Sequence, residues 1–253
     1  NVNFSDTKGI QDNNLGGFPT LPRGVGVYSQ NSNYLHVKPA STPTTGITTN
    51  FTNMGFGIIT NNTYTVDVQN TSHTSTTQTL TSNPFTGIGV SGFGLNGVFI
   101  TNAKDVLRVN NNTFSQTYYP VTANYTVAPN AAMIMSVAQN TITATGVGVI
   151  KEGVTVSSAL SFTPTTDNMR VTVNTFSNVE IGVKTVSVKS GLRISNNNIY
   201  LNLSAGNSKR YGVYLAGNNN KVIVDNNYIF GSNTNANPAN YGFNNVGIFC
   251  ETS

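Results

Sequence analysis

Tryptophan is absent, cysteine occurs once, and Asp, Glu, Lys and Arg make up only 9% of the 253 residues. Each shortage excludes something. A single cysteine, Cys250, rules out an internal disulfide and any multi-cysteine metal or redox motif. It reads as a small core residue, with an interchain bond as the alternative. Nine acids, scattered along the chain, offer no calcium cluster, which needs six to eight oxygen ligands. The two histidines, His36 and His73, stand alone in polar, Thr-rich surroundings, so neither metal nor cofactor is expected. The net charge of +4 reflects a scarcity of charge rather than a basic patch, which argues against a nucleic-acid partner. No run of about eighteen apolar residues is present, so no membrane span is expected. No signal peptide is visible. The start at Asn1 rather than Met reads as a processed or partial chain. Helix-favouring Glu, Lys, Ala and Leu are too sparse to predict any helix.

What fills the gap is asparagine and threonine, each about one residue in seven. Such a polar chain could be disordered, but apolar residues recur in strand-like patterns. Five segments align: Leu107-Arg-Val-Asn-Asn-Asn112-Thr-Phe114, Met135-Ser-Val-Ala-Gln-Asn140-Thr-Ile142, Met169-Arg-Val-Thr-Val-Asn174-Thr-Phe176, Leu192-Arg-Ile-Ser-Asn-Asn197-Asn-Ile199 and Val222-Ile-Val-Asp-Asn-Asn227-Tyr-Ile229. The pattern is apolar-x-[Val/Ile]-x-x-Asn-x-[Phe/Ile]. A glycine with a short apolar strand lies 15 residues before the asparagine three times, at Gly97, Gly182 and Gly212. Gly247-Ile248-Phe249 looks like the start of a further repeat. Period-two alternation means half-buried strands. Asn tolerates left-handed backbone and suits a tight corner. Stacked about 4.8 Å apart, the asparagines Asn112, Asn140, Asn174, Asn197 and Asn227 can bond to one another in a ladder. One repeat cannot bury its apolar face, whereas a stack can.

The fold expected is all-β: a right-handed parallel β-helix, or β-solenoid, over residues 83–253, preceded by an irregular β N-terminal cap over 1–82. A separate small β domain is the alternative for the first part. There Gly24-Val-Gly-Val-Tyr28, Gly57-Ile-Ile59 and Tyr64-Thr-Val-Asp-Val68 read as strands, between the Thr-rich stretches 42–52 and 71–81. Residues 115–132 and 151–167 read as inserted loops, as does 231–238.

The repeat resembles the right-handed parallel β-helix, or pectate-lyase-like, superfamily, and the viral tailspikes and other virion or cell-surface proteins that share that fold. The resemblance covers roughly residues 83–253 and rests on repeat spacing, not on a catalytic signature. It implies a fold more than an activity. Members include glycoside hydrolases, polysaccharide lyases, adhesins and structural shafts. Shafts of this kind imply a homo-oligomer, a trimer among them.

The candidate chemistry is thin. Asp105 and Asp167 share a repeat position two strands apart, on the order of 9.6 Å. That spacing suits two carboxylates of a glycoside hydrolase, but it suits two turn-capping residues equally. Arg108, Arg170 and Arg193 share one outward column, with Ser136 and Ile223 in the other repeats. They read as a contact strip for an acidic glycan or a partner protein, or as solvated charges that discourage stray strand pairing. Tyr118, Tyr119, Tyr211, Tyr214 and Ile223 could serve contacts with a sugar or a protein, or be ordinary strand residues. Thr48-Thr49 and Thr76-Thr77 do not repeat regularly enough for an ice-binding array. The Gly-rich run from Gly87 to Gly94 has no following Lys and opens no helix, so it is no phosphate loop. Sequons at Asn50, Asn70, Asn111, Asn124 and Asn202 permit glycosylation. The favoured reading is a non-catalytic structural or adhesive protein of a virion or cell surface, binding glycans or neighbouring surface proteins. The alternative is a polysaccharide-degrading hydrolase or lyase.

Overall fold

The computed structural model describes residues 2–4, 10–11, 25–37, 49–52, 56–74, 79–80, 90–91, 94–144, 150–158, 168–189, 191–201, 209–231 and 245–251. Among them every regular element is a strand. In chain order these are β1 (Val2–Phe4), β2 (Ile10–Gln11), β3 (Val25–Gln30), β4 (Tyr34–Val37), β5 (Thr49–Thr52), β6 (Phe56–Asn61), β7 (Thr65–Gln69), β8 (Thr71–Thr74), β9 (Thr79–Leu80) and β10 (Val90–Ser91). There follow β11 (Gly94–Thr101), β12 (Val106–Asn110), β13 (Thr113–Ser115), β14 (Thr117–Tyr125), β15 (Ile134–Ala138), β16 (Thr141–Thr143), β17 (Ile150–Ser158) and β18 (Met169–Thr172). The last are β19 (Thr175–Val186), β20 (Leu192–Ser195), β21 (Asn198–Leu201), β22 (Arg210–Ala216), β23 (Ile223–Asp225), β24 (Tyr228–Phe230) and β25 (Asn245–Glu251).

Apart from the small antiparallel pair β9–β10, all pairing is parallel and joins strands from successive repeats. Sheet A has the order β1-β4-β7-β12-β15-β18-β20-β23. The larger sheet consists of two parallel stacks. One runs through β13, β16, β21 and β24, the other through β11, β14, β17, β22 and β25. Both stacks meet in the 12-residue β19, whose register shifts between Ser177 and Val179, where Asn178 has φ 66°. Each repeat therefore visits a strand of the second stack, then sheet A, then the first stack. The result is a set of stacked parallel sheets compatible with a solenoid.

Apolar residues alternate along each strand because only one face is covered. Leu35, Val66, Leu107, Met135, Met169 and Leu192 occupy one buried column of sheet A. The first stack contributes Phe51, His73, Phe114, Ile142, Phe176 and Ile199, and the second Val27, Ile58, Val98, Val121, Val154, Val183 and Val213. The aromatic column needs room, and glycine supplies it. A Cβ on Gly97 would lie 2.5 Å from the Phe114 ring, and one on Gly153 2.5 Å from the Phe176 ring. The glycines of the repeat thus mark where the facing backbone approaches large interior side chains.

Several expectations need correction. Residues 117–125 and 151–158, read as parts of insertions, lie in the nine-residue strands β14 and β17 of the second stack. The Thr-rich stretches contain β5 and β8, which pair in register with each other, β8 also pairing with β13. Strand β6 pairs with β11 and β7 with β12, so parallel pairing joins strands of the first part of the chain to those of the second. Cys250, placed in the core, is exposed. It pairs with Leu215 at an inward register position, but β25 is paired on one side only among the described residues, and no atom lies within 4 Å of where a Cβ on Gly247 would point. The loop residues 232–238 lie outside the described residues.

Candidate functional site

The outer face of sheet A is built by the alternation that builds the core. Leu107 and Val109 point in, so Arg108 points out. Pairing in register lines up His36, Asp67, Arg108, Ser136, Arg170, Arg193 and Ile223 in one column. Arg170 and Arg193 are immediate neighbours, about 4.8 Å apart between strands. Arg193 is held by Asp225: its Nε donates to Oδ1 at 3.1 Å, and its second amino group bonds Oδ2. That hydrogen bond holds the Asp225 carboxyl below its ordinary range. Arg170, Thr172, Arg193, Ser195 and Asn196 line a depression of about 190 Å³.

At the other end of the column Asp67 is only 1% exposed. It accepts a hydrogen bond from Gln69 Nε2 at 2.5 Å and lies 3.4 Å from His36 Nδ1. The midpoint residue, Ser136, donates its hydroxyl proton to Asn110 Oδ1 at 3.0 Å. Its oxygen keeps lone pairs able to accept a hydrogen bond. Asp105 is a turn residue. Its N–H donates to Tyr64 O at 2.9 Å, its carbonyl accepts from Ile134 N, and its carboxylate accepts from Asn130 Nδ2. Asp167 lies outside the described residues.

Behind this face runs the asparagine column. The N–H and Nδ2 of Asn112 donate to Asn140 Oδ1 at 2.9 and 3.0 Å. Asn140 donates likewise to Asn174, Asn174 to Asn197 and Asn197 to Asn227. Each Nδ2 also donates to a backbone carbonyl of the preceding repeat, for example Asn140 to Val109 O at 2.8 Å. Buried amides are thereby satisfied in full. The ladder ends on Thr71, whose N–H and hydroxyl both donate to Asn112 Oδ1. The left-handed corner is not the ladder asparagine but the residue before it: Asn111, Gln139, Val173, Asn196 and Asn226, with φ between 51° and 58°. A second, shorter ladder joins Asn31, Asn62 and Asn102 at the corner entering sheet A.

Two groups escaped the sequence reading. The first is an ion-pair network on the outer face of the second stack. Lys151 bonds Glu180 at 2.8 Å, Lys184 bonds Glu152 at 2.6 Å, and Arg210 lies 3.4 Å from Glu180. Burial, with Tyr119 and Glu180 nearby, pushes the Tyr118 hydroxyl up to about 12. Tyr211, Tyr214 and Phe249 cluster beside the network, with centroids 4.9 to 5.5 Å apart. No motif flags these residues, because they meet only through register between repeats. The second is His73, fully buried and stacked between Phe51 and Phe114 at 4.7 Å from each ring. Thr71 gives its proton to Asn112 and so accepts from His73 Nε2, which leaves Nδ1 bare and without a partner. Burial pushes this imidazole down to about 3.

No protein-family model matches the chain, and comparison with curated proteins and with solved structures gives no match.

Proposed function

We propose that the chain is a right-handed parallel β-helix shaft, a non-catalytic structural or adhesive protein of a virion or cell surface that binds glycans through the outer face of sheet A. Right-handed connection is the rule for parallel strands joined within one sheet. The observation that carries the binding reading is the depression between the register-paired Arg170 and Arg193, floored by hydroxyl and amide side chains. Guanidinium groups bond carboxylate and sulfate oxygens in pairs, and Asp225 holds one of them in place. An extracellular setting and self-association into a trimer belong to the same reading.

The test is retention on immobilised acidic and neutral glycans, with the length of the glycan chains followed over time. Retention of an acidic glycan without shortening is the expected result. Shortening by the wild-type protein that Asp105→Asn abolishes would replace the adhesive reading with a polysaccharide-degrading one.

A further inference from the structure

The second stack turns a different kind of face outward. Its first four strands, β3, β6, β11 and β14, carry no Asp, Glu, Lys or Arg. Register lines up Tyr28, Ile59 and Phe99 in one outward column and Val25, Phe56 and Tyr119 in another. Val25 is 43% exposed and Tyr28 59%, and the other four are half-buried. Farther along, charge does appear, but each cation has a carboxylate of its own chain. Lys151 and Arg210 meet Glu180, and Lys184 meets Glu152. Beyond Lys184 the first column returns to aromatic rings, Tyr214 and Phe249, which lie parallel with centroids 5.5 Å apart.

Three features bear on what covers this face. Its charges are matched within the chain, so a highly charged partner gains little here. Its eight stacked strands make it about 34 Å long, and the five residue steps from Val25 to Gln30 make it about 17 Å wide. That is roughly 600 Å² before side-chain relief is added, close to the ~800 Å² per partner of a stable interface and larger than a stray apolar patch needs to be. Its columns also advance by one strand spacing per repeat, and another copy of the chain presents columns of that same spacing.

We infer that the outer face of the second stack is where copies of this chain meet, with the aromatic and aliphatic columns of one copy laid against those of the next. The inference rests on the self-association in the reading above and deepens it by assigning the face. Glycan binding on sheet A does not enter into it. Around a threefold axis along the stacking direction, the same face of three copies turns inward and equivalent repeats lie level. The internal pairing of Lys184 with Glu152 then keeps level repeats from bringing bare like charges together.

Sedimentation equilibrium of the full chain over a range of concentrations tests this. The wild type is expected to sediment with the mass of three chains. Phe99→Lys and Tyr28→Lys are each expected to weaken association at least about tenfold, because they set like charges against one another in a desolvated contact. Tyr28 is the more exposed of the two, so its variant keeps the test valid should Phe99→Lys fail to fold, which circular dichroism reports. Thr141→Lys, on the outer face of the first stack, is expected to leave association unchanged. A two-chain mass that Tyr28→Lys abolishes keeps the face and overturns the threefold arrangement. Association that survives both face variants overturns the face while leaving self-association standing. A wild type that is monomeric at every concentration overturns both. A monomer that binds insoluble cellulose or phosphatidylcholine vesicles, and loses that binding on Tyr28→Lys, gives the face to a sugar or a lipid and overturns the inference.

Discussion

The two faces of sheet A, carried by the same strands, differ in how much they vary. Inward, one column reads Leu35, Val66, Leu107, Met135, Met169 and Leu192, and beyond it the asparagine ladder repeats from Asn112 to Asn227. Outward, the column changes at almost every repeat, from His36 through Asp67, Arg108 and Ser136 to Arg170, Arg193 and Ile223. The inward side is constrained by close packing and by the need to satisfy buried amides. The outward side is mostly solvent-facing, Asp67 excepted, and packing sets no such demand there. Stability therefore resides in what repeats, and what does not repeat is the side that the proposed ligand would meet.

Substitutions on the two sides should separate cleanly. Phe114→Ala removes a fully buried ring packed against His73 and Gly97. It should lower unfolding stability by about 3–5 kcal/mol in denaturant titration. Asn174→Ala should lower it by about 2–3 kcal/mol, because Asn140 loses its acceptor and Val137 O its donor in a buried setting. A loss under 1 kcal/mol for either would dissolve the contrast.

His73 tests the inward side by pH. Its folded-state pKa lies near 3, below the ordinary 6.5, so the unfolded chain takes up a proton first as the pH falls. The stability that His73 contributes is complete above pH 6.5 and is lost as the pH drops from 6.5 toward about 3. The slope reaches about 1.4 kcal/mol per pH unit at most. Urea titrations of wild type and His73→Phe across that window should diverge, with the variant flatter. Parallel curves would show that the imidazole is not held neutral in the stack.

Val173 should respond in the opposite sense. It is a β-branched residue at φ 58°, half exposed, at a corner where other repeats place Asn or Gln. Val173→Asn should raise thermal stability by about 1 kcal/mol through relief of backbone strain. Smallest of all, Arg108→Gln should change stability by no more than about 0.5 kcal/mol in denaturant titration.

The asparagine spacing was legible in the sequence because Asn recurs at the same distance from an apolar pair. The continuation of the ladder to Thr71 was not, since a hydroxyl there does the work of an amide. Strands β14 and β17 were read as loops for a related reason. The connections into sheet A, from Tyr125 to Ile134 and from Ser158 to Met169, are longer than in the repeats begun by Gly97, Gly182 and Gly212. The fixed 15-residue offset therefore fails there. The corner residue was misassigned by one position: the ladder position needs an amide side chain, whereas the preceding one needs only a positive φ, which Gln139 and Val173 also adopt. Of the outer face, the arginine column could be read from alternation alone. The pairing of Lys184 with Glu152 and of Arg210 with Glu180 could not, because those residues lie 32 and 30 positions apart and meet only once register is known.

The ladder itself is best probed by amide hydrogen exchange, residue by residue, at Asn112, Asn140, Asn174 and Asn197. Each of these N–H groups donates to a side-chain carbonyl in the next repeat. All four should exchange only on global unfolding, and in Asn174→Ala the Asn140 amide should lose its protection first. Exchange of these amides at the rate of the neighbouring exposed corner residues, in the wild-type protein, would contradict the stacked arrangement outright.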